Sequence, residues 1–323
     1  MRKFNYLKII YFNPFVKPTP IWTFPQRVFK QWRKIIKRIV VSVELKLGIG
    51  GAHLVGITPQ GNSILKLNKD YALGNKGTLI ELPRDRNMYH YVRNHGSWEL
   101  ELCKFLAKGL RVACLQLNST VVLLDIGANV GLVSLQTMNL SGTTNEVFLV
   151  EPIKRNIYAI KNNLNELSNV NIHEFALSDK KRKAGIMTDF NNFGNSSYLS
   201  NAFENIDYFS TPTALVSTTE YCKKFLNNFD GYVIKCDTQG MDALILSRFP
   251  EQIWQKCQSA VIEVWALPDI NKTDVQRFLS MCKGFDYVSW NPHSGKAKKL
   301  EFNEIIKFWT NKSGATRSLF LSK

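Results

Sequence analysis

At 323 residues with 45% hydrophobic content, the chain can bury a full core, which excludes a fibrous or low-complexity protein. Its six cysteines lack close pairing and neighbouring histidine clusters, which excludes a disulfide framework or a zinc-finger pattern; they read as reduced thiols of a cytoplasmic protein, and no metal is expected. The formal charge of +16 is extreme, yet residues 1 to 46 hold eleven Lys or Arg against one acid, Glu44, so most of the basicity belongs to one end.

That basic end interleaves Trp22, Phe24, Phe29 and Trp32 with Arg27, Lys30, Arg33 and Lys34. From Pro25 onward Phe29, Trp32, Ile36, Ile39 and Val40 recur at helical spacing, with cations largely on the other side. Such a helix fits docking on the rest of the chain or on a second subunit, peripheral contact with an anionic membrane surface, or nucleic acid. With no run of eighteen apolar residues, no membrane span is expected. Residues 1–50 are therefore read as an arm, 51–95 as a β-rich lead-in and 96–323 as the main domain. The oligomeric state is not encoded in any of these patterns.

Within the lead-in, Ser63 to Leu67 and Thr78 to Leu82 alternate like short strands between turn residues. Trp98 to Leu110 then has a helical period, with Leu100, Phe105, Leu106 and Leu110 facing inward. From residue 121 strands and helices alternate, which predicts a doubly wound, mostly parallel, Rossmann-like α/β sheet of seven strands. Val121 to Leu124 is a buried-strand run, and Asp125, Gly127, Asn129 and Gly131 follow it at a turn that opens a helix. Ligands bind beyond the carboxyl ends of such strands, where glycine lets the backbone approach them. A dinucleotide fingerprint needs glycine at positions 127, 129 and 132, but Asn129 and Leu132 stand there, which argues against a nicotinamide oxidoreductase.

A second strand, Val147 to Val150, ends in Glu151-Pro152, where a carboxylate can accept hydrogen bonds from ribose hydroxyls. Ile153, Ile157, Ile160, Leu164 and Leu167 mark the next helix, and Val170 to Ala176 the third strand. Residues 177 to 230 exceed an ordinary crossover, and such excess usually builds the substrate side of a site. Strands four to six are placed at Tyr232 to Cys236, Ala260 to Val264 and Asp286 to Trp290, with Ser318 to Leu321 as an antiparallel last strand.

The pattern Asp125-x-Gly127-x-Asn129-x-Gly131 resembles the first motif of class I S-adenosylmethionine-dependent methyltransferases. With Gly96-Ser97-Trp98-Glu99, Phe175-Ala176-Leu177-Ser178-Asp179, Asn191 to Ser197 and Ile234-Lys235-Cys236-Asp237-Thr238-Gln239-Gly240, the stretch from about residue 80 to 265 resembles the FkbM family. Glu220-Tyr221 departs from it, standing where the family often has Leu-Asp. The resemblance implies O-methylation of a hydroxyl on a sugar, glycolipid or related small molecule. It implies that S-adenosylmethionine contacts Asp125, Gly127, Ala128, Asn129, Gly131, Glu151, Pro152, Ala176 and Leu177. Asp125 and the turn backbone would receive the zwitterionic methionine end, and Glu151 the ribose.

On the acceptor side Lys235 and Asp237, two apart in a strand, share one face, and a buried Lys235 needs Asp237 or Glu263 as partner. Asp237 would orient or deprotonate the acceptor, assisted by Lys235 and Glu263; the structural alternative makes Asp237 a cap for the helix near Gly240. His95 is a further candidate base. Asn192, Gly194, Ser196 and Ser197 fit either a ligand wall or a polar surface turn. A nucleic-acid methyltransferase and an inactive binding module are the alternatives; the concentration of charge in the arm disfavours the first and the intact glycine turn the second.

Overall fold

The computed structural model describes residues 50–83, 87–189, 196–197, 208–268, 270–291 and 296–323; the proposed arm helix, Asn192 and Gly194 lie outside the described residues. Three antiparallel strands come first, β1 (Ala52–Ile57), β2 (Ser63–Leu67) and β3 (Leu79–Leu82). Their alternation is the reason: Leu65, Leu67, Ile80 and Leu82 bury one side completely or nearly so. Helix α1 (Met88–His95) ends at the left-handed Gly96. Helix α2 (Leu100–Leu117) starts two residues later than the period suggests, because Glu99 takes a left-handed φ of 45°. It then runs past Leu110 to a left-handed Asn118.

Strand β4 (Val121–Ile126), helix α3 (Leu132–Ser141), strand β5 (Glu146–Val150), helix α4 (Lys154–Asn163) and strand β6 (Val170–His173) follow in alternation. The third strand stops at His173 instead of reaching Ala176. Ala176 opens β7 (Ala176–Ser178), which pairs in a second sheet of order β7-β10-β8-β9 with β8 (Arg182–Asp189), β9 (Ser196–Ser197) and β10 (Tyr208–Ser217). The long insertion thus folds largely on itself, β8 and β10 pairing antiparallel from Arg182 to Asp189. Ser196 and Ser197 pair with Thr188 and Met187 at its edge.

Helix α5 (Thr218–Phe225) leads back to the main sheet through β11 (Gly231–Cys236). Then come α6 (Asp242–Leu246), α7 (Glu251–Lys256), β12 (Cys257–Trp265), α8 (Lys272–Met281), β13 (Asp286–Asn291), β14 (Lys296–Lys299), α9 (Phe302–Trp309) and β15 (Thr316–Ser322). The main sheet runs β14-β13-β15-β12-β11-β4-β5-β6. Strands β6, β5, β4, β11 and β12 are parallel, and β15 is the antiparallel last strand, inserted between β12 and β13. This is a doubly wound, Rossmann-like sheet, with eight strands instead of seven. The extra one, β14, is Lys-Ala-Lys-Lys, a charged edge with no apolar run to announce it.

Alternate residues of β4 feed opposite faces. Val122, Leu124 and Ile126 join one core with Trp254, Phe278 and Trp309, while Val121 and Leu123 join the other with Leu106, Leu110 and Leu82. No residue of β4 exceeds 1% exposure. Its carboxyl end is therefore a rigid platform for the turn that follows it. Among the described residues no helix is long and apolar enough to cross a membrane.

Candidate functional site

The turn after β4 is held closely from below and from the sides. Gly127 and Ala128 donate N–H bonds to Val150 O at 2.9 and 3.2 Å, and Asn129 N–H donates to Glu151 Oε2 at 2.9 Å. Gly127 sits at φ 75°, and a Cβ there would lie 1.9 Å from Asp237 O, so only glycine lets β4 and β11 end side by side. Gly131 at φ 77° faces Leu164, 2.6 Å from where a Cβ would stand; it closes the turn onto α4 and borders neither cavity described below.

Beneath the turn Asp125 is fully buried. Ser134 Oγ donates to its Oδ2 at 2.8 Å, and Lys235 Nζ stands 3.2 Å from its Oδ1. Asp125 is directly opposite Lys235 in the β4–β11 register. Two corrections follow. The nearest partner of Lys235 is Asp125, with Asp237 at 3.7 Å and no ion pair to Glu263. Asp125 lines neither cavity; it lies beneath the turn and supports it from below. Lys235 Nζ also donates to Gly127 O at 2.7 Å. Burial by itself would discharge this amine, but Asp125, Asp237 and Glu99 outweigh that and raise its pKa above the ordinary lysine value.

Two cavities meet above the turn. The first, about 660 Å³ and open to solvent, is lined by Gly127, Asn129, Glu151, Pro152, Asn156, Ala176, Leu177, Ile186 and Ile245 among others. Six of the nine expected cofactor contacts therefore share one wall. Glu151 is 4% exposed and held by Asn129 N–H on Oε2, and by Ile153 N–H at 2.9 Å and Asn156 Nδ2 at 3.3 Å on Oε1. These donors oppose burial, which still raises the carboxyl to about 7. One acceptor direction of Oε2 remains unused by these bonds.

The second cavity, about 770 Å³, is lined by Met88, Trp98, Glu99, Ala128, Lys235 and Glu263, and shares Asn129, Asp237 and Gln239 with the first. Those three residues form the partition of a two-lobed cleft. Gln239, at φ 53°, donates from Nε2 to Asp237 Oδ1 at 2.7 Å and to Glu263 Oε2 at 2.8 Å. Burial raises Glu263 well above the ordinary carboxylate value, and the charge and hydrogen bond of Asp237 raise it further. Glu99 reaches solvent through this lobe, yet the protein around it and then Asp237 raise it to about 7.

Asp237 is not a helix cap: the N-cap of α6 is Met241, without a side-chain cap bond. Asp242, the first residue of α6, accepts Thr238 N–H at 3.0 Å and Gly240 N–H at 3.3 Å from the preceding loop, and its own carboxyl rises to about 6 through burial and then Asp237. His95 stands apart: it is exposed, packs its ring 4.5 Å from that of Tyr91, and lines neither lobe. Glu99 and Gln239 were seen in the sequence only as members of resembling segments, although a non-glycine left-handed turn beside two carboxylates has no periodic signature. Among the described residues no group of three or more His, Cys, Asp or Glu is arranged to hold a metal.

No protein-family model matches the chain, and no curated protein matches it significantly. Solved structures similar in fold include a methyltransferase FkbM from Methylobacillus flagellatus KT, 13% identical over 63% of this chain and 43% of that one, with a TM-score of 0.37. A SAM dependent methyltransferase from Agrobacterium tumefaciens is 11% identical over 84% of this chain and 76% of that one, TM-score 0.39. A precorrin-6y C5,15-methyltransferase from Geobacter metallireducens GS-15 is 12% identical over 64% and 80%, TM-score 0.31.

Proposed function

We propose that this chain is an S-adenosylmethionine-dependent methyltransferase, and that its acceptor is a hydroxyl of a sugar, glycolipid or related metabolite, as in the FkbM subgroup its segments resemble. The observation that carries this reading is the two-lobed cleft, with the glycine turn and Glu151 on one side and Asp237, Glu263 and Glu99 on the other. The first lobe fits the cofactor: Glu151 keeps an unused acceptor direction for a ribose hydroxyl, and Leu177, Ile186 and Ile245 offer an apolar wall for a base. The bound cofactor would supply an electrophilic methyl group on a sulfonium.

The protein's part is positioning and proton handling. Asp237, on the partition, is placed to accept a hydrogen bond from the acceptor hydroxyl, while Gln239 holds its other oxygen. Lys235 Nζ lies beneath it, 3.7 Å from Oδ2. Glu263, with its raised pKa and its bond from Gln239, keeps the partition rigid. The net charge favours nucleic acid less than its size suggests, because residues 1 to 46 hold eleven of the Lys and Arg against one acid. The test is mass spectrometry of glycans, glycolipids and RNA incubated with protein and S-adenosylmethionine. A methyl gain on a hydroxyl metabolite supports the reading, and a gain on RNA alone overturns the acceptor class.

A further inference from the structure

The acid of the glycine-turn motif, the residue the resemblance aims at the amino-acid end of the cofactor, is sealed beneath the turn by Ser134 and Lys235. A ligand with an α-ammonium group needs a carboxylate elsewhere. We propose that Glu99 is that carboxylate, binding the α-ammonium of the amino-acid end of an S-adenosylmethionine-type ligand. The proposal rests on the methyltransferase reading.

Four observations carry it. First, the two lobes meet at Asn129, so a ligand whose ribose lies at Glu151 has its other end directed past the turn into the lobe lined by Ala128, Asn129 and Glu99. Second, the backbone before Glu99 is clamped from the turn's own helix. Gln136 of α3, fully buried, accepts Trp98 N–H at 2.9 Å, donates to Trp98 O and also donates to Cys103 Sγ at 3.2 Å. The position of Glu99 is thereby tied to the element that Gly131 opens. Third, Glu99 holds a left-handed φ of 45°, a conformation costly for a side chain with a Cβ. Fourth, Gln239 engages Asp237 and Glu263, whereas among the described residues no side chain donates a hydrogen bond to Glu99.

The experiment is calorimetric titration of the full chain with S-adenosylhomocysteine and with 5′-methylthioadenosine, which lacks the amino-acid end. Glu99→Gln is expected to weaken S-adenosylhomocysteine by about ten- to a hundredfold, the effect of losing a hydrogen bond to a charged group, and to leave methylthioadenosine within about twofold. Equal losses for both ligands, or none for either, overturn the assignment. Binding of neither ligand by the unmodified protein removes the methyltransferase reading itself; binding of both with an unselective Glu99→Gln removes only the inference.

Discussion

Lys235 holds together three oxygens that would otherwise repel or remain unsatisfied: Gly127 O, Asp125 and Asp237. Its 4% exposure makes it a buried charge, whose removal leaves Asp125 uncompensated inside β4. Lys235→Met should therefore cost about 3–5 kcal/mol in chemical denaturation, whereas a Lys235→Met, Asp125→Leu double change should recover most of the loss. Equal destabilisation by the single and double variants would show that the pair's charges are not what matters. Asp237 is different: partly exposed on the partition, it can lose its charge without leaving a buried ion alone. Asp237→Asn should lower turnover about a hundredfold if Asp237 takes the acceptor's proton, with cofactor affinity within a few fold. Abolished cofactor binding in a folded Asp237→Asn protein would reassign the residue to the cofactor.

Turns and helix ends, more than strands, set the cleft. Gly127 separates β4 from Asp237 O by a distance that admits no Cβ, so Gly127→Ala should destabilise by more than the roughly 1–2 kcal/mol of the left-handed backbone alone, read from urea midpoints. Tolerance of Gly127→Ala would mean that β11 can move away. A second coupling links the lead-in sheet to the same turn. Asn163 of α4 donates to Glu81 O at 2.9 Å and to Val130 O at 2.8 Å, and accepts Glu81 N–H at 2.7 Å. The lead-in is thus a packed support of the turn, which short alternating runs such as Ser63 to Leu67 could not convey. What the residues did convey was the strand–turn–helix at Val121 to Gly131 and the acid at the second strand's tip, because continuous burial and glycine geometry leave local marks. Ala176 was misplaced because Phe175-Ala176-Leu177 reads as the end of one strand, while pairing with β10, some forty residues on, is a long-range choice without a local cue. The side-chain reach of Lys235 to Asp125 escaped notice because it depends on the register that sets these two residues opposite each other in β4 and β11.

Across the whole molecule the cleft concentrates acids inside a basic protein. Glu151 titrates near 7 and Asp242 near 6, and Glu263 is raised further, all chiefly through burial. Each binds its proton more tightly folded than unfolded, so the stability they contribute is complete below about pH 4.5 and is lost as pH rises through about 6 to 7. His173 opposes this at the acid end, its pKa lowered to about 4 by burial among Phe148, Tyr221 and Phe225, so its share of stability is lost below about pH 6.5. The melting temperature of the free protein should accordingly fall between about pH 6 and about pH 8, and Glu151→Gln should flatten that fall. A rising melting temperature over this range would mean that the cleft carboxyls are hydrated and ordinary.

The most direct test is the binding of S-adenosylhomocysteine to the full chain, measured by calorimetry for the unmodified protein and for Glu151→Ala. Glu151 carries the ribose side of the first lobe, and its hydrogen bonds to Asn129, Ile153 and Asn156 leave one acceptor direction toward the ligand. The expected result is saturable binding at a single site, weakened about ten- to a hundredfold in a folded Glu151→Ala protein. Absence of binding, or an affinity that Glu151→Ala leaves unchanged, would contradict it.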